Sequence, residues 1–277
     1  MKAVVLAGGK GTRLAPYTTI LPKPLMPIGG MPILEIMLRQ MRRAGIDQVT
    51  LTVGHLAGLL RAFFQDGSQL GLNIDYSAED QPLGTAGPLS LLQGLDGTFL
   101  VSNGDVLTTL DLKSLIDYHK KSNAIATIAS HNRSIKIDLG VLQTNAQQEI
   151  VGYIEKPIYD FYVSMGIYVF EPRILDYIPY NQYLDLPNLV LKLIAAGERV
   201  VSYRYDGYWM DLGRVSDYEQ AVSDFDLIKP QLLGEDAYND ESPDDQKMVS
   251  VPVHVDLDSL GDSRIFGGRN GSQDSSL

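Results

Sequence analysis

Apolar residues fall along this chain in two rhythms. Short unbroken runs alternate with longer stretches in which apolar positions recur every three or four residues. A short run bounded by turn formers reads as a strand buried on both faces, and the longer period as a helix with one apolar face. Ala3-Val4-Val5-Leu6-Ala7, Asp47–Val53 and Thr98-Phe99-Leu100-Val101 are strands on this reading, with Ile74–Ser77, Ile125–Ala129 and Ser164–Phe170. Met31–Ala44 carries Ile33, Leu34, Ile36, Met37, Leu38 and Met41 and predicts a helix stopped at Gly45. Further helices are predicted over Leu56–Phe64, Leu112–Lys121 with Asp111 as its cap, and Leu189–Ala196. Strand, glycine loop, helix and strand make a βαβ unit, so an α/β fold of three layers is expected.

Asp138–Leu142 and Gln148–Pro157 alternate like a hairpin. Near the far end Val249, Val251, Val253, Val255 and Leu257 alternate strictly and predict one strand despite Pro252. Between body and strand, Gly234–Asp245 has six acids and no base, the composition of a solvated linker. Two domains are therefore expected: a body over 1–226, and an acidic extension over 227–277 that ends in a disordered tail. No hexapeptide repeat is present. The extension's strand is expected to pair with an edge of the body or with a neighbouring subunit, which leaves a homo-oligomer open.

Composition bounds the function. The 277 residues suffice for one large core, or one core with a lobe. There is no run of about eighteen apolar residues and no secretory leader, so a cytoplasmic protein with no membrane partner is expected. The absence of cysteine excludes disulfides and thiolate metal sites. A formal charge of -11 argues against nucleic acid as a partner, and residues 226–277 supply -7 of it.

The candidate chemistry starts directly after the first strand. Gly8, Gly9 and Gly11 let the backbone turn sharply and bring N–H groups toward an anion, and Arg13 and Lys23 add positive charge, so the loop suits a polyphosphate. It is not the dinucleotide fingerprint, because Leu14 stands where the last Gly belongs, nor a P-loop, because Lys10 precedes Gly11 rather than Ser or Thr. Gly-Gly-x-Gly-Thr-Arg-Leu-x-Pro followed by Pro22-Lys23-Pro24-Leu25 instead resembles the sugar-1-phosphate nucleotidyltransferases.

Four further segments extend the resemblance to about Asp226. In Glu79–Leu89, Pro82 and Gly84 fix a turn, Thr85 can cap a helix carrying Leu89, Leu91 and Leu92, and the Gln81 amide can pair with a base edge. The wording Pro-Leu-Gly-Thr-Ala-Gly is close to that of guanylyl members. Asp105 ends a strand on a Gly turn, a position suited to Mg²⁺. The resemblance makes Asp105 the first metal ligand and Asp211, within Trp209-Met210-Asp211-Leu212-Gly213, the second. It also implies that Gly140, Glu155 and Lys156 meet the sugar phosphate. Ser164 stands where many relatives have Asn, so its sugar contact differs from theirs. Asp185 is assigned at most to the substrate lobe, and the four histidines lie outside every motif.

The resemblance thus implies a Rossmann-like domain with a mixed, mainly parallel sheet and a small sugar-binding lobe. A nucleoside triphosphate and a sugar 1-phosphate would be its partners and Mg²⁺ its cofactor. Leu6, Ala7, Gly8, Gly9, Gly11 and Thr12, with Gln81 and Gly84, would hold the nucleotide. Arg13 would stabilise the leaving pyrophosphate and Lys23 would bridge the reacting phosphates. GTP with mannose 1-phosphate or a heptose 1-phosphate is the leading expectation. UTP, dTTP or CTP with glucose 1-phosphate is the alternative, as is a non-catalytic regulatory subunit.

Overall fold

The computed structural model describes residues 1–79 and 81–234. The acidic linker after Gly234, the strand Val249–Leu257 and the tail from Gly267 all lie outside the described residues.

The chain opens with β1 (Lys2–Ala7). Two short strands, β2 (Pro27–Ile28) and β3 (Met31–Pro32), pair antiparallel ahead of α1 (Ile33–Arg43). Next come β4 (Gln48–Val53), α2 (Ala57–Phe64), β5 (Asn73–Ala78), β6 (Phe99–Asn103), β7 (Val106–Thr108) and α3 (Leu112–Ser122). The second half holds β8 (Ala126–Lys136), β9 (Val141–Thr144), β10 (Ile150–Ile154), β11 (Ile158–Phe170) and α4 (Leu186–Ala195). It ends with β12 (Val200–Tyr205), β13 (Trp209–Asp211) and α5 (Val215–Leu233).

Seven strands form one sheet in the order β12-β8-β11-β6-β1-β4-β5. Pairing is parallel except at β11, which runs antiparallel to both β6 and β8, so the sheet is mixed and mainly parallel. The connection from β1 goes to β4 on one side, and β6 returns to pair on the other. Such a reversal opens a crevice beyond the carboxyl ends of the strands. It lies where the glycine loop follows β1.

The period of two along β1 divides its side chains between two cores. Ala3, Val5 and Ala7 pack with Leu34, Met37 and Leu38 of α1, Leu60 of α2 and Leu115 of α3. Val4 packs on the other face with Leu89, Phe99, Phe170 and with Leu189 and Leu193 of α4. Helices on both faces give the three layers expected. A third cluster joins Ile33 and Ile36 of α1 to Phe225, Ile228 and Leu232 of α5. Gln40 and Arg43 of α1 donate to the Leu232 carbonyl at the end of α5.

Three expectations need correction. First, α5 runs through Asp226 and buries Leu232 and Leu233, so the boundary drawn at 226 falls inside a packed helix. Second, β8 and β11 reach far beyond the predicted strands. Their outer halves, to Lys136 and from Ile158, form an exposed antiparallel ribbon: the β8 half is mostly polar, and the β11 half leaves Ile158, Tyr159, Phe161 and Tyr162 in water. Third, Thr85 does not cap the segment after it, which is a 3-10 turn over Gly87–Leu91 with Ala86 at its cap position. The Thr85 hydroxyl instead accepts the N–H of Leu186, the first residue of α4.

Candidate active site

The loop after β1 is held by its own backbone. Gly11 adopts the left-handed conformation (φ 61°), and a Cβ there would lie 3.0 Å from the Thr18 methyl. The Thr18 hydroxyl donates to the Gly11 carbonyl at 2.8 Å. The single turn Thr12–Leu14 then swings Arg13 across to Gly213, where an added Cβ would sit 3.2 Å from the guanidinium. Pro22 and Pro24 confine Lys23, whose side chain is only 7% exposed. A lysine so buried needs a partner, and it has two. Its Nζ pairs with Asp105 Oδ2 and lies 3.7 Å from Asp211 Oδ1.

Asp105 follows β6, and Gly104 before it donates its N–H to the Leu6 carbonyl at 2.9 Å. That bond fastens the turn to the end of β1. Asp211 ends β13, which pairs with β7. The Trp209 indole N–H donates to the Met165 carbonyl at 3.1 Å and fixes the strand from behind. Burial, then the Asp105 charge, raises the Asp211 carboxyl above its ordinary value, while Lys23 and Arg13 pull it down. Two carboxylates and a buried ammonium thus share one end of the sheet.

Around them opens a cleft with a cavity volume of about 630 Å³. Its wall includes Leu6, Ala7, Gly8, Gly9, Gly11, Thr12, Arg13, Lys23, Asp105, Gln81 and Gly84, all of which sequence reasoning nominated. It also includes Lys10, His55, Glu79 and Tyr183, which it did not. Glu79 stands directly after β5. Its Oε2 accepts the Leu83 N–H at 2.7 Å, and its Oε1 would lie 3.5 Å from a Cβ on Gly8. Burial raises its carboxyl above the ordinary range, against the lowering effect of the Leu83 bond. His55, outside every motif, lines the cleft. His119 is buried, bonding Thr127 and Glu171, and His131 bonds the Tyr205 carbonyl; His254 is outside the described residues.

Asp211, which meets the site through Lys23, and Gly140, Glu155, Lys156 and Ser164 are not part of this wall. β9 and β10 pair as the predicted hairpin. Glu155 and Lys156 follow β10, both more than half exposed and 3.9 Å apart. Tyr153 packs so closely on Gly140 that an added Cβ would lie 2.0 Å from its hydroxyl. The Ser164 hydroxyl bonds that of Tyr168 at 3.0 Å, within an irregularity of the β8–β11 ladder.

The model of the Nucleotidyl transferase family matches residues 2–226. The chain belongs to the nucleotidyl transferase family. Among curated proteins, the UTP--glucose-1-phosphate uridylyltransferase of Synechocystis sp. is 38% identical over 242 residues, covering 80% of this chain and 62% of that protein. The mannose-1-phosphate guanylyltransferase of Mycobacterium tuberculosis is 36% identical over 229 residues, covering 80% of this chain and 64% of that protein. The chain therefore spans a little under two thirds of the length of these relatives. HddC from Yersinia pseudotuberculosis has the same α/β fold, with a TM-score of 0.62 at 22% identity, covering 81% of this chain and 99% of that one. Among the described residues of this nucleotidyl transferase family member, no helix is long and apolar enough to cross a membrane.

Proposed function

We propose that the protein transfers a nucleotidyl group from a nucleoside triphosphate to a sugar 1-phosphate, releasing pyrophosphate. The observation that carries this reading is the meeting of the glycine loop, Arg13 and Lys23 with the Asp105–Asp211 pair at one end of the sheet. The names of the curated relatives support it. An oxygen of the sugar phosphate attacks the α-phosphorus, a new P–O bond forms, and the bond to the β-phosphate oxygen breaks in line. Both reactants are anions, so positioning and charge neutralisation are the main requirements. Backbone N–H groups near Gly8, Gly9 and Gly11 cradle the phosphates. Arg13 takes charge developing on pyrophosphate, and Lys23 lies between the reacting phosphates and the carboxylates. No protein nucleophile is required, because the attacking oxygen is already ionised.

Asp105 and Asp211 offer only oxygen donors and already share a cation, the Lys23 ammonium. Among the described residues no set of three or more acids, histidines or cysteines joins into a complete cage. Two carboxylates completed by substrate oxygens and water suit Mg²⁺. When bound there it would draw charge from the α-phosphate. Gly140, Glu155 and Lys156, at the ends of the exposed hairpin, and Ser164 on β11 are proposed to meet the sugar phosphate.

GTP is the favoured nucleotide because Glu79 faces the cleft. An ionised carboxylate only accepts hydrogen bonds, and guanine alone presents two adjacent donors, N1–H and N2–H, on its pairing edge. Uracil presents one donor flanked by two carbonyls, which a carboxylate repels. Mannose 1-phosphate or a heptose 1-phosphate is the proposed acceptor. UTP with glucose 1-phosphate is the second reading, favoured by the Gln81 amide on the same wall. Pyrophosphate release with Mg²⁺ tests both, across ATP, GTP, CTP, UTP and dTTP against mannose, glucose and heptose 1-phosphates. GTP activity with mannose or heptose 1-phosphate supports the first reading, and UTP activity with glucose 1-phosphate the second. A blank grid for protein that still binds nucleotide by calorimetry removes the transferase reading.

A further inference from the structure

Asp185 occupies the cap position of α4, where an Asp side chain ordinarily accepts an N–H of its own helix. Here it makes no such bond. Oδ1 accepts instead from the N–H (3.2 Å) and hydroxyl (3.4 Å) of Thr85, one hundred residues earlier. Oδ2 accepts the hydroxyl of Tyr183 at 2.7 Å. Thr85 returns the favour by accepting the Leu186 N–H at 2.8 Å. The two residues have exchanged capping duties between distant parts of the chain.

The exchange sits within a larger seam. The Leu184 carbonyl accepts the N–H groups of Ala86 (2.8 Å) and Gly87 (3.0 Å), and the Leu184 N–H donates to the Leu83 carbonyl (2.9 Å). Gly84 lies against this seam at φ 76°, where an added Cβ would fall 2.7 Å from the Leu184 carbonyl and 2.8 Å from Asp185 Oδ1. Gly84, Thr85 and Tyr183 all line the cleft. The turn that carries Gly84 is therefore fixed by the segment before α4 as well as by the local Glu79–Leu83 bond.

We propose that Asp185 is a positioning residue for base selection. It clamps the Gly84–Thr85 turn, and with it the wall that carries Gln81 and Glu79, at the spacing one base fits, and it holds the Tyr183 ring at the cleft rim. This rests on the nucleotide reading of the cleft. It assigns Asp185 to the base rather than to the substrate lobe, and its carboxylate need never touch the nucleotide.

The test is calorimetric binding of GTP and UTP, without sugar phosphate, to wild type, Asp185→Ala and Asp185→Asn, followed by steady-state rates. Loss of the two Thr85 bonds should weaken binding of the preferred nucleotide about tenfold and cut GTP-to-UTP discrimination about tenfold. The constant for sugar 1-phosphate and kcat should stay within about threefold. Asp185→Asn, whose amide oxygen can still accept both Thr85 bonds, should recover to within about threefold of wild type. Unchanged nucleotide affinity and selectivity in Asp185→Ala overturns the proposal. So does an equal fall in every constant that Asn fails to rescue, the mark of a purely structural role. Should Asp185→Ala fail to fold, Thr85→Val tests the hydroxyl half of the clamp, deleting the Thr85 hydroxyl bonds to Asp185 and Leu186 while the Thr85 N–H bond to Asp185 remains, and unchanged nucleotide selectivity in it overturns the proposal. Wild-type protein that binds no nucleoside triphosphate sinks the functional reading together with this inference; wild type that binds, beside a variant that binds alike, sinks only the inference.

Discussion

The N–H of Leu212 donates to the carbonyl oxygen of Asp105 at 3.3 Å. One residue earlier, Asp211 lies opposite Val106 in the β7–β13 ladder. Asp105, which lines the cleft, and Asp211, 106 positions later and joined to it through Lys23, thus stand on the end of one ribbon. Main-chain pairing sets their spacing, and Lys23 reaches both from beneath. A site built on paired strands keeps its geometry better than one on free loops.

Asp105→Asn should lower kcat by at least about a hundredfold, the scale of removing one electrostatic element from a phosphoryl-transfer site. The melting temperature should stay within a few degrees, since Lys23 keeps Asp211 and the amide keeps the shape. Pyrophosphate release and a thermal melt read both; an unchanged rate removes Asp105 from the chemistry.

Asp211 carries a sign that can be checked. Its folded-state pKa is raised, chiefly by burial and then by Asp105, so ionising it costs the fold free energy. Stability from this group is fullest below about pH 4 and declines as pH rises through the raised value. Asp211→Asn should therefore stabilise the free protein at pH 7, by less than about 1 kcal/mol because the side chain is half exposed and screened. The gain should vanish near pH 4, while turnover at pH 7 is lost. Paired urea titrations at the two pH values measure it, and destabilisation at pH 7 contradicts it.

Glu79→Gln should shift the GTP-to-UTP preference toward UTP by about ten- to a hundredfold, because an amide supplies a donor where the carboxylate supplies none. The raised Glu79 carboxyl also predicts that GTP binding by wild type weakens as pH falls toward that value. The Gln variant should lack this dependence. Competition binding from pH 5 to 8 follows both effects.

Gly84→Ala should destabilise the fold by about 1–3 kcal/mol, since φ 76° and the 2.7 Å approach to the Leu184 carbonyl both oppose a Cβ. Nucleotide affinity should fall with it. A melt equal to wild type would show that the turn relaxes freely.

Lys156→Ala should raise the apparent constant for the sugar phosphate about tenfold, the scale of one hydrogen bond to a charged group. The fold should be unaffected, because the exposed pair with Glu155 contributes little. An effect confined to the nucleotide constant would reassign the residue.

The buried parts were the legible parts. β1, β4 and β6 are unbroken apolar runs, and α1 spaces its apolar residues at the helical period, so each announced itself. The outer half of β8 is mostly polar, while that of β11, Ile158-Tyr159-Asp160-Phe161-Tyr162-Val163, is largely apolar yet stands on an exposed ribbon, so neither carries the signal of a buried strand. Thr85 was read as a local cap because sequence proximity cannot show a partner one hundred residues away. Glu79 was passed over for Gln81, although it stands just beyond the carboxyl end of a parallel strand, the same kind of position that singled out Asp105. The motifs at residues 8–13 and 81–84, with Lys23 and Asp105, come together in one cleft. Gly140, Glu155 and Lys156 stand at the ends of a separate exposed hairpin and Ser164 on β11, and their placement relative to the cleft follows from no local pattern.

β1 sends alternate side chains into two separate cores, and the glycine loop begins where it stops. Losing or gaining one residue in this strand would send every side chain to the wrong core and carry Gly8 along by about 3.3 Å. The loop cannot be misplaced along the strand without both interiors being mispacked as well. The interior therefore proofreads the cleft: a chain with its glycine loop out of step would fail as a folded object before the cleft could form.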